Sequence, residues 1–150
     1  MTEAGEEGNE PDLAALIFRV LPELAALEEP ILREAGLSMW EYAILTELAA
    51  AEVVSQVQLS RRARRDPTRL GKHLDDLAGR GLIVRARASD QRQRTVRLTD
   101  SGRRLFAKVK KRVRVAEDEF LDSILATGEA VSFRHLLTRL AAPSAPADGL

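Results

Sequence analysis

One short stretch of this 150-residue chain breaks with everything around it. Elsewhere the apolar residues recur at three- and four-residue steps, the spacing of one helix face. Within residues 82–98 the period falls towards two. Leu82-Ile83-Val84-Arg85-Ala86-Arg87 and Thr95-Val96-Arg97-Leu98 read as two strands, and Ala88-Ser89-Asp90-Gln91-Arg92-Gln93-Arg94 between them as an arginine-bearing hairpin tip. A lone hairpin is marginal in water, so this one must pack on helices. The fold class is therefore mainly α (α+β).

The residues ahead of the hairpin say which helices those are. Ser55 is a helix-cap candidate, followed by Val57, Leu59 and Ala63 on a short helix. Asp66-Pro67 is a strong start signal, with Asp as cap and Pro at the first helical position. Leu70, Leu74 and Leu77 give the second helix a narrow apolar stripe, and Gly79 and Gly81 stop it. Two short helices joined by a tight turn, the second basic near its start and followed by a hairpin, make a winged helix-turn-helix over residues 38–100.

Longer helices flank this lobe, over residues 11–37 and 101–142. The first carries Leu13, Leu16, Ile17, Val20, Leu24, Leu27 and Ile31 on one face. Pro11 suits its first turn, Pro22 and Pro30 predict a kink or break, and Gly36 predicts its end. Ser38 with Glu41 forms a capping-box pattern for the next helix, whose apolar face is Trp40, Ile44, Leu45 and Leu48. After the hairpin, Thr99 or Ser101 caps a helix through Leu105, Val109, Val113, Phe120 and Ile124, and Gly128 separates it from a last helix bearing Phe133, Leu136, Leu137 and Leu140. Residues 1–10 and 143–150 lack apolar anchors and read as disordered tails.

The formal net charge is zero, yet it is sharply segregated. Residues 1–55 carry 2 Lys/Arg against 12 Asp/Glu, residues 56–114 carry 19 against 5, and residues 115–150 carry 2 against 6. A net of +14 on the winged segment points to a polyanion. The chain has no cysteine, which excludes disulfides, thiolate metal sites and cysteine redox sensing, and its two histidines, His73 and His135, are far apart. Neither a Gly-rich phosphate loop nor metal-ligand spacing appears, so no enzyme and no cofactor are expected. No apolar run is long enough for a membrane span, no secretory signal is present, and the expected location is cytoplasmic.

The stretch LAGRGLIVRARASDQRQRTVRLTDSG, with Gly-Leu-Ile, an Asp-x-Arg hairpin and Leu-Thr-x-x-Gly, resembles the MarR family of winged helix-turn-helix regulators, as does GLSMWEYAILTEL after its Gly-Leu-Ser opening. The resemblance implies a homodimer built from the first and last two helices, a palindromic double-stranded DNA operator, and a small aromatic effector bound between the dimer region and the DNA-binding lobe. It implies a regulator, expected to be a repressor. The apolar faces of the terminal helices are wide for a soluble monomer, which points the same way.

Phosphate contacts hold DNA and base contacts specify it. Thr68, Arg69, Lys72 and His73, near the start of the second motif helix, are the candidate base readers, His73 with a half-buried packing role as its alternative. Arg61, Arg62, Arg64 and Arg65 are candidates for phosphate, about half of them expected to touch it, and Arg92 and Arg94 for the minor groove. By resemblance Asp90 stabilises the wing through an arginine. Phe18, Arg19, Trp40 and Tyr42 are the candidate effector crevice, Trp40 having a core-anchor alternative. Asp75 and Asp76 stand where a basic residue is usual; they either pair with arginines or face away from DNA. They leave open a second reading, a protein-binding or dimerisation module without operator binding. Lys108, Lys110, Lys111, Arg112 and Arg114 are expected to pair with acidic residues of the N-terminal segment rather than with DNA.

Overall fold

The computed structural model describes residues 9–87 and 94–142. The expectations for both tails beyond those bounds, and for Asp90 and Arg92 in the hairpin tip, lie outside the described residues. The elements run α1 (Leu13–Glu34), α2 (Met39–Ala49), β1 (Val54–Ser55), α3 (Gln56–Arg62), α4 (Pro67–Gly79), β2 (Ile83–Arg87), β3 (Arg94–Leu98), α5 (Asp100–Asp122) and α6 (Glu129–Ala141). Mainly helical with a small antiparallel sheet of order β1-β3-β2, this is a winged helix-turn-helix. The strand register sets Ile83 opposite Leu98 and Arg87 opposite Arg94. The two-residue β1, pairing Val54 with Val96, is too short to leave a periodic signal in the sequence.

Local chemistry sets the boundaries. Asp12 caps α1 by accepting from the Ala15 N–H, so Pro11 precedes the cap and is not in the first turn. Ser38–Glu41 and Ser55–Gln58 are both complete capping boxes. Of the kink or break expected at Pro22 and Pro30, the break does not occur: one 22-residue helix runs through both. Both prolines lie on exposed positions, and the carbonyls they leave without an N–H partner belong to Phe18 and Ala26, also exposed, so water can satisfy them.

Three helices end alike. Leu37 N–H reaches back to Leu32 O (2.8 Å), Arg65 to Ser60 O (3.1 Å) and Leu82 to Leu77 O (3.0 Å), each around a left-handed residue, Gly36, Arg64 and Gly81 respectively. This is the Schellman closure, which glycine favours because a Cβ is strained there. Gly79, expected to stop α4, is its last helical residue; Gly81 makes the turn.

The chain divides into two compact units, Met1–Val113 and Arg114–Leu150. In the first, Leu32, Leu37, Ile44, Leu45, Leu48, Leu59, Leu70, Leu74, Leu77, Leu82, Val96, Leu98, Phe106 and Val109 belong to one buried cluster. Val57, assigned to the apolar side of α3, is exposed, and Leu59 and Ala63 alone seat that helix. In the second unit, α5 ends at Asp122 rather than near Leu125, and Arg134 of α6 binds both Glu117 and Asp118 at 2.8 Å.

The Leu-Thr-x-x-Gly element joins the wing to α5. Thr99 Oγ1 donates to Gly81 O (2.7 Å) and accepts from Gly102 N (3.0 Å), while Thr99 N donates to Leu82 O (3.1 Å). Thr99, not Ser101, is thus the cap. A Cβ on Gly102 would stand 2.0 Å from the Leu82 carbonyl oxygen. The backbone cannot yield there without breaking the Thr99 bond. Gly102→Ala is expected to lower unfolding free energy by about 1–3 kcal/mol, as overpacking does. Urea denaturation with an unchanged m-value would check this, and wild-type stability would refute the close approach.

Candidate nucleic-acid interface

The N-terminus of α4 is built by Asp66, whose carboxylate accepts from Arg69 N (3.0 Å), with Pro67 at the first helical position. From there Leu70, Leu74 and Leu77 turn into the core. The helical period then puts Thr68, Lys72, Asp75, Asp76 and Arg69 on the opposite side, where all are exposed, with His73 half-buried at the margin. The Asp66 carboxyl is held below the usual carboxylate range chiefly by the Arg69 backbone N–H; desolvation opposes this, and the Arg69 charge, the Thr68 N–H and the Arg65 charge add to the lowering. Its capping contribution is therefore present at neutral pH and is lost as pH falls through the lowered value. Arg69 Nε lies 3.5 Å from Asp66 Oδ2, so in the free protein its guanidinium is drawn back towards the cap.

Arg61, Arg62 and Arg64 are exposed at the end of α3 and in the turn, whereas Arg65 is half-buried and lies over the Trp40 ring, 4.0 Å from guanidinium carbon to ring centroid. Arg64 shares its neighbours' basic character but differs from them in backbone. Its φ of 51° marks it out: it holds the left-handed position that glycine takes at the other two helix ends. Only the backbone reveals that.

On the hairpin, Arg94 is exposed and joins Arg85, Ala86 and Arg87 around a shallow cleft. Arg97 is exposed and Arg85 half-buried. Arg85 Nη2 bonds Asp75 Oδ1 at 2.5 Å, tying α4 to β2. Asp75 is thus accounted for by an arginine partner; Asp76 is exposed.

Along α5, Arg112 pairs with Glu34 at 2.7 Å and Lys110 lies 5.8 Å from the Phe106 ring centroid. The four candidate effector residues lie on α1 and α2. Phe18 and Arg19 are exposed on α1, Trp40 faces Arg65, and the Tyr42 ring lies 5.7 Å from that of Phe106. A separate cavity at the α1–α2 corner is lined by Glu29, Leu32, Arg33, Gly36, Leu37, Ser38 and Met39. Among the described residues no helix is long and apolar enough to cross a membrane, and no cluster of His, Asp or Glu has metal-binding geometry.

No protein-family model matches the chain. It is 33% identical over 107 residues to the HTH-type transcriptional regulator YdgJ of Bacillus subtilis, covering 71% of this chain and 63% of that protein's length. A MarR-family transcriptional regulator from Rhodococcus sp. RHA1 superposes with a TM-score of 0.76 at 26% identity, covering 90% of this chain and 99% of that one. CouR from Rhodococcus jostii RHA1, solved with p-coumaroyl-CoA, gives 0.72 at 27% identity over 89% and 94%. An E. coli MarR mutant complexed with operator DNA shares the fold, with a TM-score of 0.70 at 22% identity over 85% and 92%. The chain thus has the winged helix-turn-helix fold of the MarR-family regulators and resembles members of that family over about nine-tenths of its length.

Proposed function

We propose that the protein is a sequence-specific, DNA-binding transcriptional regulator, and not an enzyme, acting as a homodimeric repressor on a palindromic operator. The observation that carries this reading is the solvent face of α4. Thr68, Arg69 and Lys72 share it opposite a fully buried leucine stripe, next to the exposed Arg61, Arg62 and Arg64 and on the same lobe as Arg94. A rigid helix with donors on one side suits the major groove, where arginine can read guanine with two hydrogen bonds. Wing arginines suit the minor groove and its phosphates.

Dimerisation through the terminal helices is supported by apolar residues left exposed on each. On α1 these include Leu13, Ile17, Phe18 and Leu21, and on α6 Val131, Leu136, Leu137 and Leu140. Two copies would then present two α4 helices to half-sites about 10 bp apart. Release by a small aromatic effector completes the proposal, drawing on the ligand-bound CouR relative. Asp75 no longer speaks for a protein-binding module, since Arg85 neutralises it.

Selection from a random duplex library tests the reading. A palindromic motif bound with a steep salt dependence is expected; no binding at low salt would refute it, and equal binding to every duplex would make the protein architectural. Arg69→Ala should weaken binding by about 1–3 kcal/mol and relax preference at one base pair. Arg64→Gly should have opposite effects on two measurements. Relief of the left-handed strain should raise stability by up to about 1 kcal/mol, while loss of a phosphate contact lowers DNA affinity. Thermal melting and anisotropy titration on the same sample would show whether the two move apart.

A further inference from the structure

Arg65 differs from its three neighbouring arginines. They are exposed, whereas its guanidinium lies 4.0 Å over the indole of Trp40 at the start of α2. Its backbone is fixed at both ends: its N–H donates to Ser60 O at 3.1 Å, and its carbonyl accepts from Ser60 Oγ at 2.5 Å. Among the described residues no carboxylate pairs with it; the nearby Asp66 salt-bridges Arg69 instead. Its Nε is buried with no hydrogen-bond partner.

A purely structural account fits this poorly. A methionine or leucine would pack on the indole without burying an unmatched N–H donor, which is unfavourable. The arrangement makes sense if the charge has an anionic partner outside the chain. Stacking occupies the flat face of a guanidinium and, with Nε buried, leaves the two Nη groups as the edge that can meet a phosphate with two hydrogen bonds. An arginine already immobilised also loses less side-chain entropy on binding.

We propose that Trp40 is a positioning residue for DNA binding, holding Arg65 flat beside the start of α4 so that it meets a backbone phosphate already oriented. This rests on the DNA-binding reading above and assigns Trp40 neither to an effector crevice nor to the core. Trp40 is 40% exposed, which permits substitution without opening the core.

The test uses the full chain and a duplex recovered by the selection, with affinity measured across a salt series for wild type, Trp40→Leu, Trp40→Phe, Arg65→Gln and the Trp40→Leu/Arg65→Gln double variant. Trp40→Leu and Arg65→Gln should each bind about three- to tenfold more weakly and lower the salt slope by about one phosphate's worth, roughly 0.9. The double variant should be no worse than either single one, because both remove the same contact. Trp40→Phe, which keeps an aromatic face, should retain most of the slope.

Additive losses, or a wild-type slope in Trp40→Leu, would overturn the proposal. If Trp40→Leu melts early, Arg65→Gln decides alone, since it leaves the indole in place; a wild-type slope there overturns it equally. Trp40 is the only tryptophan, so its emission should change on duplex binding in wild type and much less in Arg65→Gln. An emission blind to duplex would count against the contact. Failure of wild type to bind any duplex would instead remove the DNA-binding reading itself.

Discussion

Residues 80–82 hold α4 to its surroundings through hydrogen bonds that cannot be moved independently. Leu82 N–H closes the end of α4 on Leu77 O, and Leu82 O accepts from Thr99 N, where α5 begins. The Gly102 backbone lies so close to that carbonyl that no side chain fits between them. Two residues earlier, Arg80 donates to Gly36 O (2.7 Å) and Ala35 O (3.3 Å), the carbonyls immediately after α1, and lies 3.9 Å from the buried carboxylate of Glu41. One short segment therefore fixes α4 against the end of α1, the start of α2, the wing and the start of α5. A cation over the exposed carbonyl end of a helix is favourable, and here it also locates that end. For a protein whose proposed work depends on where α4 points, this is the constraint on which the rest depends.

The ion pairs in the first unit fit the same scheme. Arg85–Asp75 joins β2 to α4, Arg112–Glu34 joins α5 to α1, and Arg80–Glu41 joins the end of α4 to α2. The first two pairs keep a well-exposed partner, and such pairs contribute little net stability. Their effect is geometric, setting angles between elements. The surplus positive charge sits elsewhere, on Arg61, Arg62, Arg64, Arg65 and Lys72, for which the described residues supply no carboxylate at salt-bridge distance. Charge that the fold does not neutralise raises the local potential around α4 and leaves it available to a polyanion.

Much of this was legible in the sequence, for identifiable reasons. Capping boxes, the Asp66-Pro67 start and the fall in period after Gly81 are local signals, and the structure follows them closely. The continuity of α1 through Pro22 and Pro30 was not legible, since tolerance of a helical proline depends on where its orphaned carbonyl points. Val57 looked apolar enough for the core, but three-dimensional packing seats α3 on Leu59 and Ala63. The partner of Asp75 lies ten residues away on another element, so only the pairing of α4 with β2 reveals it. The same holds for Trp40 and Arg65, which are 25 residues apart; each had several plausible uses alone, and only their stacking narrows them. The left-handed backbone of Arg64 leaves no mark in composition at all.

The distribution of buried surface separates two kinds of work in the chain. The continuous core draws on α1 mainly through Leu32 and Ile31 at its end, and on α5 through Phe106, Val109 and Val113. It is complete around the helix-turn-helix and sheet without the earlier turns of α1 or any residue of α6. Those turns keep large apolar side chains in water, Phe18 at 74% exposure among them. Had α1 evolved only to brace the DNA-binding lobe, polar residues would serve as well at Leu13, Ile17, Phe18 and Leu21, at no loss to the core. Burying a side chain of that kind is worth about 1.5–3 kcal/mol, so a second copy covering several of them gains enough to offset the entropy of association. In the proposed dimer the lobe that carries α4 stays rigid by its own packing, while its spacing from the second copy would be set through helices that the core does not need.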